Sequence, residues 1–132
     1  MKEVIRFLND CKVYYLATLD GDQPRVRPLG FVMEYDGKLS FCTNNKKDMF
    51  KQMKLNPRVE ISTASSDGKT LRITGTVGFN PSRAAREKAL EIMPLLGNMY
   101  SVDDGMFEIF YIDQGSAVIT DMTGVTSLNV TL

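Results

Sequence analysis

The spacing of apolar positions changes several times along the chain. Over residues 2 to 11, Val4, Ile5, Leu8 and Cys11 recur at helical spacing and predict a short amphipathic helix. The segment "KVYYLATLDGDQPRVRPLGFVMEYDGKLSFCTN" then holds three β-rich runs parted by the turn dipeptides Asp20-Gly21 and Asp36-Gly37. That order predicts an antiparallel meander. Alternation is clearest in "KLSFCT", where Leu39 and Phe41 share a face. Asn45 stands where a helix cap belongs. The helix is expected to reach about Leu55, with Met49, Phe50 and Met53 on its apolar side and Asn56-Pro57 ending it.

Further on, "RVEISTA" reads as a strand, "SSDGKT" as a turn and "LRITGTVGF" as a strand. Gly75 and Gly78 in the latter point to a bulge or a close backbone approach. "NPSRAAREKALEIM" is the strongest helix, with Asn80 as cap, Pro81 at the first helical position, and Pro94 and Gly97 closing it. "MFEIFYIDQGSAVITDM" supplies two more strands around Gln114-Gly115, and the tail "GVTSLNVTL" is β-prone and open to fraying. Six or seven strands with about three helices between antiparallel runs describe an α+β fold with a barrel-like sheet. Residues 1–132 are expected to form a single domain.

Composition narrows the chemistry. Sixteen basic residues balance sixteen acidic ones, so no general nucleic-acid binder is expected. There is no histidine, which excludes Ser-His-Asp and Cys-His catalysis and removes the commonest metal ligand. Cys11 and Cys42 have neither metal-ligand nor C-x-x-C spacing, and fit a reducing cytoplasm. "MKEVIRFLNDC" carries charges among its apolar positions and is no signal peptide, and no apolar run reaches the length of a membrane span. A cytoplasmic protein with no membrane partner is the expectation.

One stretch remains unexplained by packing. In "FCTNNKKDMFKQMKLNP", residues 41 to 57, Lys46 and Lys47 stand where a helix begins. A helix N-terminus already carries partial positive charge and repels cations. Either the lysines extend into water or an anion sits between them and the helix. Arg25 and Arg27 alternate with Val26, so one strand face carries both guanidinium groups. That face is either a solvated surface or part of the same anion site. Met49, Phe50 and Met53 read as core, Cys42 as a small buried hydrophobe, and Tyr14, Tyr15, Tyr100 and Tyr111 as core or interface packing. Glu34 and Asp36 show no paired-carboxylate logic.

"QPRVRPLGFV", "FCTNNKKDMFKQMKLNPRVEIS", "GKTLRITGTV" and "FEIFYIDQGSAVITDMTG" follow one another in an order that resembles the pyridoxamine 5′-phosphate oxidase-like FMN-binding split β-barrels, particularly the small members. The resemblance spans nearly the whole chain. Its most specific parts are the Arg-x-Arg-Pro and Thr-Asn-x-Lys-Lys segments. It implies a homodimer with FMN at the subunit interface. It also implies a phosphate site made by Arg25 or Arg27 with Lys46 and Lys47, and places Thr43 and Asn44 near the phosphate or ribityl chain. Backbone groups around Arg27, Pro28 and Leu29 would face the flavin ring edge. A phosphate monoester carries roughly −1.5 to −2 charges near neutral pH, which offsets the repulsion between lysines and helix end.

The sequence also departs from that family. Its longer oxidases hold a C-terminal Arg-x-His element that grips the substrate phosphate, and this sequence has no histidine. Pyridoxamine phosphate oxidase activity is therefore not expected. Members that bind haem through histidine, or use a reactive histidine in nitroimidazole resistance, are matched poorly. The expectation is an FMN-dependent oxidoreductase acting on a small molecule, with an electron donor such as NAD(P)H. The alternative is a protein that holds FMN or another phosphorylated ligand without turnover, and a third possibility is a split barrel that has lost its cofactor.

Overall fold

In the computed structural model, which describes residues 1–132, helix α1 (Lys2–Cys11) opens the chain and lays Val4 and Leu8 into the core. Four strands follow: β1 (Tyr14–Asp20), β2 (Gln23–Leu29), β3 (Met33–Tyr35) and β4 (Lys38–Asn44). Both turn dipeptides close hairpins. Asp36 and Gly37 hold φ values of 52° and 72°, which suit a tight two-residue connection.

The expected meander is not formed. β2 and β3 do not pair; they lie at opposite ends of the sheet order β2-β1-β5-β6-β7-β4-β3. The reason lies in Gly30, Phe31 and Val32. Phe31 and Val32 are 4% exposed, so the chain between the two hairpins dives through the interior instead of turning back on itself.

Helix α2 (Asp48–Leu55) links β4 to β5 (Arg58–Ala64), which pairs with β6 (Thr70–Asn80). Its cap is Lys47, not Asn45, and no side chain bonds the helix start. Helix α3 (Arg83–Ile92) is capped by Ser82, whose hydroxyl accepts from the Ala85 N–H at 3.2 Å. Asn80 is still in the β6 ladder opposite Ile109, and this moves the cap two residues on. A 3-10 helix, Pro94–Asn98, follows α3 directly.

Gln114-Gly115 is no turn. β7 (Phe107–Thr120) runs straight through it as one strand of 14 residues. Gly115 faces Gly75 across the ladder, and a Cβ on either would strike the opposing main chain. The two glycines therefore permit close backbone approach, as the Gly75 pattern anticipated. The register slips between Thr76 and Val77, where Asp113 is the extra residue on β7. The tail forms β8 (Thr126–Thr131) against the far half of β7.

The result is eight antiparallel strands in one open, barrel-like sheet with three α-helices, a split barrel with one strand more than the upper expectation. The larger core cluster includes Leu16, Phe41, Met49, Met53, Ile61, Ile73 and Phe110. A smaller one packs α3 and the 3-10 helix over Phe31, Phe107 and Ile109. Phe50 is only half-buried and rests edge-on against Phe79, so it flanks the core. No helix is long and apolar enough to cross a membrane.

Candidate functional site

The turn between β4 and α2 is held by its asparagines. The Lys46 N–H donates to Asn44 Oδ1 at 3.0 Å, and the Lys47 N–H donates to the Asn44 carbonyl oxygen at 3.2 Å. Asn45 donates through Nδ2 to the Gly105 carbonyl at 2.8 Å and through its backbone N–H to the Met106 carbonyl at 2.9 Å. Short amides at these positions fold the chain back on itself. They fix the two exposed lysines at the mouth of α2. Neither lysine has an ion-pair partner, since the six salt bridges all lie elsewhere.

Arg27 reaches the same place from β2. Arg27, Pro28, Leu29, Cys42, Lys46, Lys47, Asp48 and Met49 line an open groove of about 610 Å³. Three cations face one carboxylate there. The Arg27 guanidinium donates to Thr18 Oγ1 at 2.6 Å and to Gln52 Oε1 at 2.7 Å, both neutral acceptors. Burial pulls its pKa below the ordinary arginine value, Asp48 opposes that shift, and Arg25 adds to it.

The groove continues into a second cavity of about 390 Å³, sharing Pro28, Leu29, Cys42 and Lys47. Gly30, Phe31 and Thr43 complete its floor, and Met93, Leu95, Leu96, Met99 and Tyr100 form an apolar lip. Asn44 Nδ2 donates to the Tyr100 hydroxyl at 2.9 Å, and the Tyr100 ring stacks on Phe107 at 4.8 Å between centroids. Those two interactions tie the lip to the turn that carries the lysines. The Thr43 hydroxyl is buried and has no protein partner. A buried hydroxyl left unbonded costs roughly 1–3 kcal/mol, and this one lies sealed behind the wall that Thr43 helps to form. Burial pushes the Cys42 thiol up to about 12, so it is a neutral wall.

Of the residues singled out in the sequence, Arg27, Pro28, Leu29, Thr43, Lys46 and Lys47 come together along this continuous surface. Asn44 shapes the turn through its bonds to Lys46 and Tyr100. Arg25 stands apart: it is exposed and pairs with Asp20 at 3.2 Å. Sequence reasoning does not find Thr18, Gln52 or the 93–100 lip. Gln52 carries a faint signal, since it lies one turn beyond Asp48 on α2 and can reach the groove mouth. The lip carries only a run of Met, Leu and Pro, indistinguishable from core.

A sequence signature described as pyridoxamine 5′-phosphate oxidase matches residues 1–113. The chain belongs to the pyridoxamine 5′-phosphate oxidase family. It is 48% identical to a NimC/NimA family protein of Clostridium acetobutylicum, with a TM-score of 0.95 over 100% of this chain and 92% of that one. A FAD-binding protein of Mesorhizobium loti shares the fold at 20% identity and a TM-score of 0.65, covering 91% of this chain and 94% of its own. A pyridoxamine 5′-phosphate oxidase-related, FMN-binding protein of Nostoc punctiforme does so at 15% identity and 0.62, covering 96% and 90%. No curated protein matches the sequence. This chain has no histidine and supplies no imidazole chemistry of its own.

Proposed function

We propose that this protein binds FMN in the groove and adjoining cavity, and serves as a flavin-dependent oxidoreductase for a small molecule. The observation that carries the reading is the run from Arg27, Lys46 and Lys47, cations with no ion-pair partner, to an apolar cavity that Thr43 helps to line. The donor set fits the cofactor part by part. Lysine point charges, the Arg27 fork and the uncapped α2 N-terminus suit a phosphate. Thr43 suits a polyol. Pro28 to Gly30 and the apolar lip suit a flat ring.

When bound, FMN supplies the electron or hydride chemistry. The chain's own residues then bind, orient and shield. Asp48 is the one carboxylate along the surface and the Cys42 thiol is held protonated, so little here serves as a general base. That is compatible with chemistry resident on the cofactor, with NAD(P)H as a donor.

Residues 1–132 act in this reading as one domain that pairs with a second copy. Support comes from exposed apolar side chains: Leu95 and Met99 on the cavity lip are 72% and 65% exposed, and Val26 on β2 is 65% exposed. Two free thiols support placement in the cytoplasm. The test is the absorbance spectrum of the purified protein, followed by anaerobic addition of NAD(P)H. Flavin bands that bleach and then recover with an acceptor support the oxidoreductase. Bands that never bleach leave a flavin-holding protein. Failure to bind added FMN removes the reading.

A further inference from the structure

The Arg27 guanidinium is held by a triangle that spans three elements. Its Nη1 donates to Thr18 Oγ1 on β1 at 2.6 Å, its Nη2 donates to Gln52 Oε1 on α2 at 2.7 Å, and the Thr18 hydroxyl donates to the same Gln52 oxygen at 2.6 Å. Arginine is donor-only, so Thr18 must direct its proton to Gln52, and Gln52 must present its oxygen to both neighbours. Every bond in the triangle is thereby determined. Thr18 is 2% exposed, so the anchor point is fixed in the core.

The arrangement differs from the arginines that form ion pairs. Arg25, Arg72 and Arg83 all meet carboxylates. Arg27 is instead seated on neutral oxygens, as is Arg86 on the Pro81 and Val102 carbonyls, but only Arg27 faces the groove. A carboxylate at position 52 would hold the fork as well, and more strongly. It would also cancel the charge. A neutral amide orients the guanidinium without pairing it, so that with Lys46 and Lys47 it leaves three cations against the single carboxylate of Asp48 in the groove.

We propose that Gln52 and Thr18 are positioning residues that fix Arg27 without giving it a direct ion pair, and that they thereby set the preference of the site for a phosphorylated over an unphosphorylated flavin. This inference rests on the FMN reading above. Gln52 acts through Arg27, and its neutrality is the property that matters.

The decisive variant is Gln52→Glu, measured by titration with FMN and, separately, with riboflavin, which lacks the phosphate. The substitution keeps length and acceptor atoms and adds an ion pair, so the folded state is expected to survive with an unchanged or higher melting temperature. FMN affinity should fall about tenfold or more, the scale of one charge-assisted hydrogen bond, while riboflavin affinity stays within about twofold. The ratio of the two is the readout, because a purely structural role for Gln52 would move both ligands together or neither. Thr18→Val provides a second arm. It should lower FMN affinity about threefold to fivefold by freeing one side of the fork, with Thr18→Ser restoring it. An unchanged FMN-to-riboflavin ratio in Gln52→Glu overturns the proposal, as does a Thr18→Val variant with full FMN preference. A wild-type protein that binds neither flavin fails the FMN reading itself. A wild-type protein that binds both equally keeps flavin binding and overturns the selective role.

Discussion

Two grooves of similar volume, on different faces of the fold, differ sharply in chemistry. The first, about 660 Å³, lies where α1 meets the β5–β6 turn and is lined by Phe7, Asp10, Cys11, Ser65, Asp67 and Lys69 among others. Several of its polar groups are engaged with one another. The Ser65 hydroxyl bonds Asp67 and also meets the Lys69 backbone, and the Cys11 thiol donates to the Ala64 carbonyl. Ser65 and Lys69 together hold the Asp67 carboxyl below the usual range. The second groove, below the α2 mouth, gathers three cations with no ion-pair partner and leads into an apolar cavity whose wall buries the unbonded Thr43 hydroxyl. Size measures what a surface can admit. Uncompensated charge and unmet hydrogen bonds measure what it would gain by admitting it.

The sharpest way to break that contrast is to neutralise both lysines. Lys46→Ala with Lys47→Ala should weaken FMN binding by about 1.5–3 kcal/mol for each charge-assisted hydrogen bond removed, seen in flavin fluorescence titration. Asp67→Ala with Lys69→Ala in the other groove should leave FMN affinity unchanged. Equal losses from both pairs would show that the effect is general electrostatics and not a site. A narrower version compares the two arginines of β2. Arg27→Ala should cost about 1.5–3 kcal/mol of FMN affinity. Arg25→Ala, whose exposed pair with Asp20 is worth about 0–1 kcal/mol to the fold, should leave FMN affinity nearly unchanged.

Smaller effects probe the cavity. Thr43→Val should leave the free protein as stable or up to about 1 kcal/mol more so in a denaturant titration, because it removes an unmet hydroxyl. FMN affinity should fall by a similar amount. If it does not, Thr43 does not touch the ligand. The smallest effect concerns Cys42. Its folded pKa of about 12 stands above the ordinary 9.0, so the unfolded chain releases that proton first. The associated stability is complete below about pH 9 and is lost as pH rises toward 12. Denaturant midpoints taken across that window should decline, and Cys42→Ala should flatten part of the decline. At pH 8 a thiolate-selective alkylating reagent should modify Cys42 far more slowly in the folded protein than after denaturation.

The family and its barrel-like α+β sheet are legible in the sequence, because turn dipeptides and alternating runs are local properties. Helices α1, α2 and α3 are legible for the same reason. The meander is a misleading reading because Phe31 and Val32 extend an apolar run just as a strand would; only burial reveals that they cross the core. Gln114-Gly115 misleads because a glycine that allows close strand packing is spelled like a glycine that turns. The cluster of Arg27, Lys46 and Lys47 is visible as residue types in order, while the sorting of Arg27 from Arg25 is not. Both lie on one strand face, and their fates divide on whether Asp20 or Thr18 stands within reach.

By itself, then, the sequence determined the kinds of element, the absence of imidazole chemistry and the place along the chain where cations gather. Those features depend on neighbours a few residues away. Tertiary structure alone decided that β2 and β3 separate, that Gln52 and Thr18 seat one guanidinium without neutralising it, and that the 93–100 segment closes an apolar cavity beside it. Each joins residues distant along the chain, and the pairing is fixed by which side chains the folded backbone leaves within bonding distance.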